Sequence, residues 1–221
     1  MNMARQHMPT AIEEQIITLQ QWMSPSFPIG AFAYSHGLEW AIETGRIKNS
    51  DDLFNWMSDI LVFGSGRNDA ILVALAHSTS NAHELNHVAL SLCPSRERRE
   101  ETHLQGTAFC AVLRDVWCHE LHDVVLPVAI GQAGRLCGFD VSLCVSSYLH
   151  AFCSNLISVA VRLVPLGQTA GQKVLLALAP LISDQTETVL TSTKDDLSSQ
   201  TFFSDVASMR HETMHTRIFK T

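Results

Sequence analysis

The sequence predicts an all-α fold: a single-domain helical bundle of about nine or ten helices with a flexible C-terminal tail. Three observations predict it. Apolar residues recur at three- and four-residue intervals along most of the chain. Proline and glycine mostly gather in clusters between those runs. No stretch alternates apolar and polar residues with β-branched and aromatic enrichment between turn signals, the pattern a strand requires.

In chain order, Ile12, Ile16, Leu19 and Met23 form one helical stripe. Ser24-Pro25-Ser26-Phe27-Pro28-Ile29-Gly30 cannot continue it, because each proline fixes φ and lacks a donor, so a rigid loop follows. Tyr34, Leu38, Ala41 and Ile42 share the next helical face, which stops at Thr44-Gly45. Ser50, with Asp51 and Asp52 behind it, is expected to cap the helix carrying Leu53, Trp56, Met57, Ile60 and Leu61. Gly64-Ser65-Gly66 ends that run, Asn68-Asp69 opens one to about His77, and Asn81 opens another that closes before Pro94.

Ser95 caps a long segment that starts charged and turns apolar at Phe109, Val112, Leu113 and Val116. Its early acids, Glu97, Glu100 and Glu101, read as solvated helix-start carboxylates. Pro127 suits the first turn of a helix over 128–137, which Gly138 closes. Residues 141–164 are the longest apolar run, but eight polar positions within it would be costly in hydrocarbon. A central helix buried on all sides is the expectation. Pro165-Leu166-Gly167 breaks it, and a last strong helix covers about 168–182. This makes 1–182 the helical domain. Residues 183–221 are then a polar linker (183–200) and a tail with Phe202, Phe203, Met209, Arg210, His211 and Glu212.

Composition narrows the class. With 46% hydrophobic and 17% charged residues the chain is globular, and a net charge of −7 argues against nucleic-acid or anionic-membrane partners, which need a basic face. Six cysteines sit in apolar segments without a CxxC, and the first twenty residues lack an apolar leader core. Buried free thiols and a cytoplasmic location are expected.

The short motifs do not assemble into chemistry. In Cys118-His119-Glu120-Leu121-His122 the histidines are three apart, whereas the helical zinc pair needs four. His83/His87 and His211/His215 have the four-residue spacing, but no third ligand lies nearby in sequence. A histidine-based metal carrier is the alternative these pairs raise, although no metal site is assigned to them. Gly167-Gln168-Thr169-Ala170-Gly171-Gln172-Lys173 is one residue short of a phosphate loop and follows a helix. There is no GxSxG and no acid pair in an apolar frame. Hence no catalytic residue and no cofactor are assigned.

Three segments resist a bland account. In the first, a proline-rich loop leads into Ala33-Tyr34-Ser35-His36-Gly37-Leu38-Glu39, where Gly37 suggests close backbone approach. The second is Arg162-Leu163-Val164-Pro165-Leu166-Gly167-Gln168-Thr169, where Arg162 is placed to bond the last carbonyls of its helix. The third is Ser208-Met209-Arg210-His211-Glu212-Thr213 with Arg217, a segment able to fold upon a partner.

These same three blocks, with Gln105-Gly106 between them, resemble the signatures of the UreF family of urease accessory proteins, in the family's order and over nearly the whole chain. The resemblance implies an all-α, dimeric, non-enzymatic protein. It would bind the accessory protein UreD (UreH) and then the GTPase UreG, and act on the urease apoprotein while nickel and a carbamylated lysine are installed. It further implies that Pro28, Gly30, Phe32, Tyr34, His36, Glu39, Met209, Arg210, His211, Glu212 and Arg217 belong to the partner-facing surface. Arg162, Pro165, Gly167, Gln168 and Thr169 would support the dimer or the GTPase site.

Overall fold

Helix follows helix through residues 11–117 and 119–221, the part of the chain that the computed structural model describes. The readings of Cys118 and of the leader over residues 1–10 lie outside it. The elements are α1 (Ala11–Trp22), α2 (Leu38–Glu43), α3 (Ser50–Phe63), α4 (Ser65–Ser78), α5 (Ala82–Ser91) and α6 (Arg96–Trp117). Then come α7 (Leu126–Leu136), α8 (Val141–Leu163), α9 (Gln168–Val189) and α10 (Phe202–His211). Two 3-10 turns, Ala31–Ala33 and Lys194–Asp196, complete the described residues, which contain no strand. The all-α expectation holds.

The core centres on α4 and α7, the most closely packed pair, with α8 laid across both and α9 bridging α8 and α3. Ala70, Ile71, Val73 and Ala76 of α4 and Val128, Ala129, Ile130 and Ala133 of α7 are buried, the small side chains letting the two backbones approach. α6 packs on α7. At Gly106 an added Cβ would lie 1.9 Å from the Val124 carbonyl, so only glycine lets α6 touch the extended segment before α7. Trp22, Phe27 and Phe109 form an aromatic joint between α1, the loop after it and α6, with Trp22 edge-on to Phe109 at 5.6 Å.

Several local readings need correction. Asn49, not Ser50, caps α3, its side-chain oxygen accepting from the amides of Asp51 and Asp52 at 2.9 Å; an Asn one residue earlier competes well for the same role. Ser95 does cap α6, accepting from the Arg98 amide at 3.1 Å. The α1 stripe buries only its C-terminal half: Leu19 and Trp22 are covered, while Ile12 and Ile16 face outward. α8 is not buried all round. Ser142, Ser146, His150, Ser154 and Ser158 recur every four residues and line a cleft of about 1090 Å³ bordered by α1 and α9. The helix is long and apolar enough to cross a membrane by length and composition; here its other face packs on α4, α7 and α9.

The largest departure concerns residues 183–221. α9 runs on to Val189, because Gln185, Thr186 and Val189 continue the buried stripe of Val174, Leu178 and Ile182. The tail is likewise folded: α10 packs against α2 and α6, and Phe219 and Thr221 are buried. Polar composition suggested looseness, but the polar groups concerned find partners inside the molecule.

Candidate functional site

His36 and Gly37 both adopt left-handed backbone, φ 55° and 78°, so the chain reverses just before α2. A Cβ on Gly37 would sit 2.5 Å from the Ser208 amide nitrogen; the glycine lets α10 lie directly on this turn, as its sequence context suggested. The Ser95 and Ser208 hydroxyls, 2.6 Å apart, tie α6 to α10 at the same level.

Around this contact the first and last blocks meet. Glu39 on α2 accepts the Ile218 amide at 2.7 Å through Oε1 and the Phe219 amide at 2.9 Å through Oε2. Its Oε2 also lies 3.1 Å from His211 Nε2, and the other ring nitrogen, Nδ1, lies 2.8 Å from Glu97 Oε2. Glu97 Oε1 binds Arg217, and the Glu97 amide donates to Glu212 at 3.2 Å. Extended main chain completes the contact: the Ser35 amide donates to the Thr221 carbonyl at 2.6 Å and the Lys220 amide to Ala33 at 2.8 Å. A short peptide strap, residues 217–221, is thus bound in a groove of its own molecule.

A second polar cluster lies beneath. Arg98 and Glu101, both buried, pair at 2.5 Å, and His36 Nε2 lies 2.7 Å from each of Arg98 Nη1 and Glu101 Oε1. Gln105 donates to Glu101 Oε1 at 3.0 Å, and the Thr221 hydroxyl to Oε2 at 3.0 Å. Tyr148 donates to Asp69 at 2.8 Å. Burial first, then Arg98, pushes His36 down, so the imidazole is neutral. Burial raises Asp69, with Arg98 and Tyr148 opposing it. Burial would also raise Glu101, yet Arg98, then His36, overcome it and hold its carboxyl at about 2.

An acid-stability prediction follows from Glu101. Its folded value lies below the ordinary 4.5, so its contribution is fully present above about pH 4.5 and is lost as pH falls toward 2. Urea unfolding of wild type at successive pH values should lose stability across that window, and Glu101→Gln should flatten that part of the profile.

The middle block joins the same junction. Arg162 Nε bonds the Ser158 carbonyl one turn back at 3.1 Å, not the last carbonyls of its helix as its position suggested, while its guanidinium covers the Phe219 ring at 4.9 Å. Asn155, two turns earlier on α8, donates to the Ala31 carbonyl at 2.9 Å. Pro165, Gly167, Gln168 and Thr169 stand exposed at the α8–α9 turn. Of the first and last blocks, Tyr34, Glu39 and His211 are buried; Pro28, Phe32, Met209, Arg210 and Arg217 are exposed; Gly30, His36 and Glu212 lie between.

Sequence reading missed Glu97, Arg98 and Glu101. The acids read as solvated helix-start carboxylates, but Glu97 is 7% exposed and Glu101 2%, and Arg98 between them 7%. Buried carboxylates need donors, and these find them on segments more than sixty positions away as well as on α6 itself. His211 is also removed from any metal pair with His215, since both its ring nitrogens face carboxylates. His83 and His87 lie exposed on α5, ring centroids 4.5 Å apart. Among the described residues no three metal-ligating side chains gather at one point.

Fold and junction define an all-α protein that uses its buried charges to fix its own C-terminal segment. The sequence profile of the UreF family matches residues 47–179. The chain is 44% identical over 217 residues to the urease accessory protein UreF of Ruegeria pomeroyi, covering 97% of this chain and 100% of that one. It is 48% identical over 206 residues to the UreF of Cereibacter sphaeroides, 93% and 98% of the two chains. With the UreF of a Bradyrhizobium species the identity is 39% over 234 residues, 98% of each. The chain belongs to the UreF family.

Proposed function

We propose that this chain serves urease maturation as a scaffold: a homodimer that binds UreD and the GTPase UreG and brings them to the urease apoprotein for nickel insertion, without a catalytic group of its own. The observation that supports this reading is the convergence of the three sequence blocks on one junction. Its buried members, Glu39, Glu97 and His211, hold the fold. Its outward members, Phe32, Met209 and Ile218, are 60%, 50% and 75% exposed, with Arg210 exposed beside Met209. Exposed apolar side chains beside an arginine, on a rigid base, have the make-up of a protein-docking surface. We assign this face to UreD, and the exposed α8–α9 turn with Gln168 and Thr169 to the dimer or to UreG. Free cysteines, three of them fully buried, suit a reducing cytoplasm.

Size-exclusion chromatography with light scattering tests the scaffold. Wild type mixed with cognate UreD, then with UreG and GTP, should elute as stoichiometric complexes. Arg210→Ala combined with Ile218→Ser should weaken UreD binding by about 2 kcal/mol, the scale of an interface hot spot, with an unchanged melting temperature. Stoichiometric capture of UreD by the double variant would remove the tail from the interface. The carrier alternative rests on the adjacent rings of His83 and His87. Nickel titration of His83→Ala and His87→Ala against wild type decides it, since a scaffold loses nothing when that pair is removed.

A further inference from the structure

We propose that His211 is held as the doubly protonated imidazolium, and that Glu39 and Glu97 are positioning residues which clamp this buried cation to fix the 217–221 strap. Donors and acceptors at the ring carry the assignment. An ionised carboxylate only accepts hydrogen bonds. His211 presents Nδ1 to Glu97 at 2.8 Å and Nε2 to Glu39 at 3.1 Å. A neutral imidazole carries a single N–H, so one of its nitrogens would turn a lone pair toward a carboxylate oxygen.

Moving the extra proton onto Glu97 Oε2 would satisfy the ring as well, but it would set a neutral carboxyl against the Arg217 guanidinium and leave bare the imidazole, the stronger base of the two. Both oxygens of Glu39 already accept backbone amides, from Ile218 and Phe219. Of the Glu97 oxygens, one takes Arg217 and the other faces the ring. With both carboxylates ionised, the imidazole is the member that must donate in both directions. His211 is 0% exposed, so solvent supplies no substitute donor.

Charge leads to the same assignment. The groups facing His211 are Glu39 from α2 and Glu97 from α6. Arg217 of the strap and Glu212 at the end of α10 contact Glu97. Glu39, Glu97, imidazolium His211 and Arg217 sum to zero, with the half-buried Glu212 at the rim. With Glu39 and Glu97 both ionised, a neutral His211 would leave an uncompensated buried anion, the costly state for such a cluster. Arg98 belongs to the His36–Glu101 pair one layer below and is not available to balance it.

The strap hangs on this clamp at Glu39, whose oxygens are shared between the His211 ring and the Ile218 and Phe219 amides. The inference concerns the chain alone and stands or falls independently of any partner.

Long-range ¹H–¹⁵N correlation on protein labelled at histidine nitrogens tests the protonation state directly. At neutral pH the His211 ring should show both nitrogens protonated, and Glu97→Gln should convert it to a single N–H tautomer. In the same variant the Ile218 and Phe219 amides should exchange with solvent about tenfold faster, while α4 and α7 amides keep their rates. A single-tautomer, neutral His211 in wild type overturns the proposal, and that spectrum needs no variant to fold. An imidazolium in wild type with unchanged Ile218 and Phe219 exchange in both Glu97→Gln and His211→Gln would overturn the positioning role.

Discussion

Glu101→Ala should be the most damaging single change in this chain, lowering stability by about 3–5 kcal/mol, the cost of breaking one partner out of a buried ion pair. Glu101 is 2% exposed and satisfies Arg98, Gln105 and the Thr221 hydroxyl at once. Its removal leaves the Arg98 guanidinium buried with only the weaker, raised carboxyl of Asp69 near it. For a chain of this size the melting temperature should drop by roughly 10 °C. Differential scanning calorimetry measures this, with Glu84→Ala as the contrast. Glu84 pairs with Lys194 at 2.5 Å, but both side chains are about half exposed, so its loss should cost no more than about 1 kcal/mol. Equal losses from the two variants would refute the weight given to burial.

Gly37→Val should rank next, and its effect should be local. Any L residue at φ 78° carries strain of about 1–2 kcal/mol, and a β-branched side chain carries more. The new Cβ would also meet the α10 backbone at 2.5 Å, where no flexible side chain can yield. Overpacking of that kind typically adds about 1–3 kcal/mol. The strain is relieved if α10 lifts away, so the variant should keep its helical circular dichroism while hydrogen exchange and proteolysis rise over Phe202–His211 and the strap. If UreD docks on that face, binding should fall in parallel. Uniform destabilisation, with no preferential opening of α10, would show that the contact belongs to the common core.

The helices were largely legible because their signals are local. Pro127 opening α7, Gly138 closing it, Ser95 capping α6 and the apolar periods of α3 and α4 each act within a few residues. Gly37 was legible as a point of close approach, from a glycine standing within an expected helical stripe, although α2 begins only after it at Leu38. The charged junction was not. A glutamate at a helix start has the same sequence context whether it faces water or, like Glu97, a histidine 114 positions away. The stripe that carries α9 to Val189 was missed because Gln185 and Thr186 are polar yet buried. The serine row of α8 hid in plain view, its four-residue period masked by the apolar residues between.

The hydrogen bonds from Ile218 and Phe219 to Glu39 span 179 and 180 positions, and that from the Ser35 hydroxyl to Thr221 spans 186. Contacts so distant form late, since the whole intervening chain must be ordered before they repay their closure entropy. During synthesis the turn at His36–Gly37 leaves the ribosome long before its partners exist. The helical body can therefore assemble while the junction is still open, and residues 217–221 act as its latch, closing it only after the rest has folded.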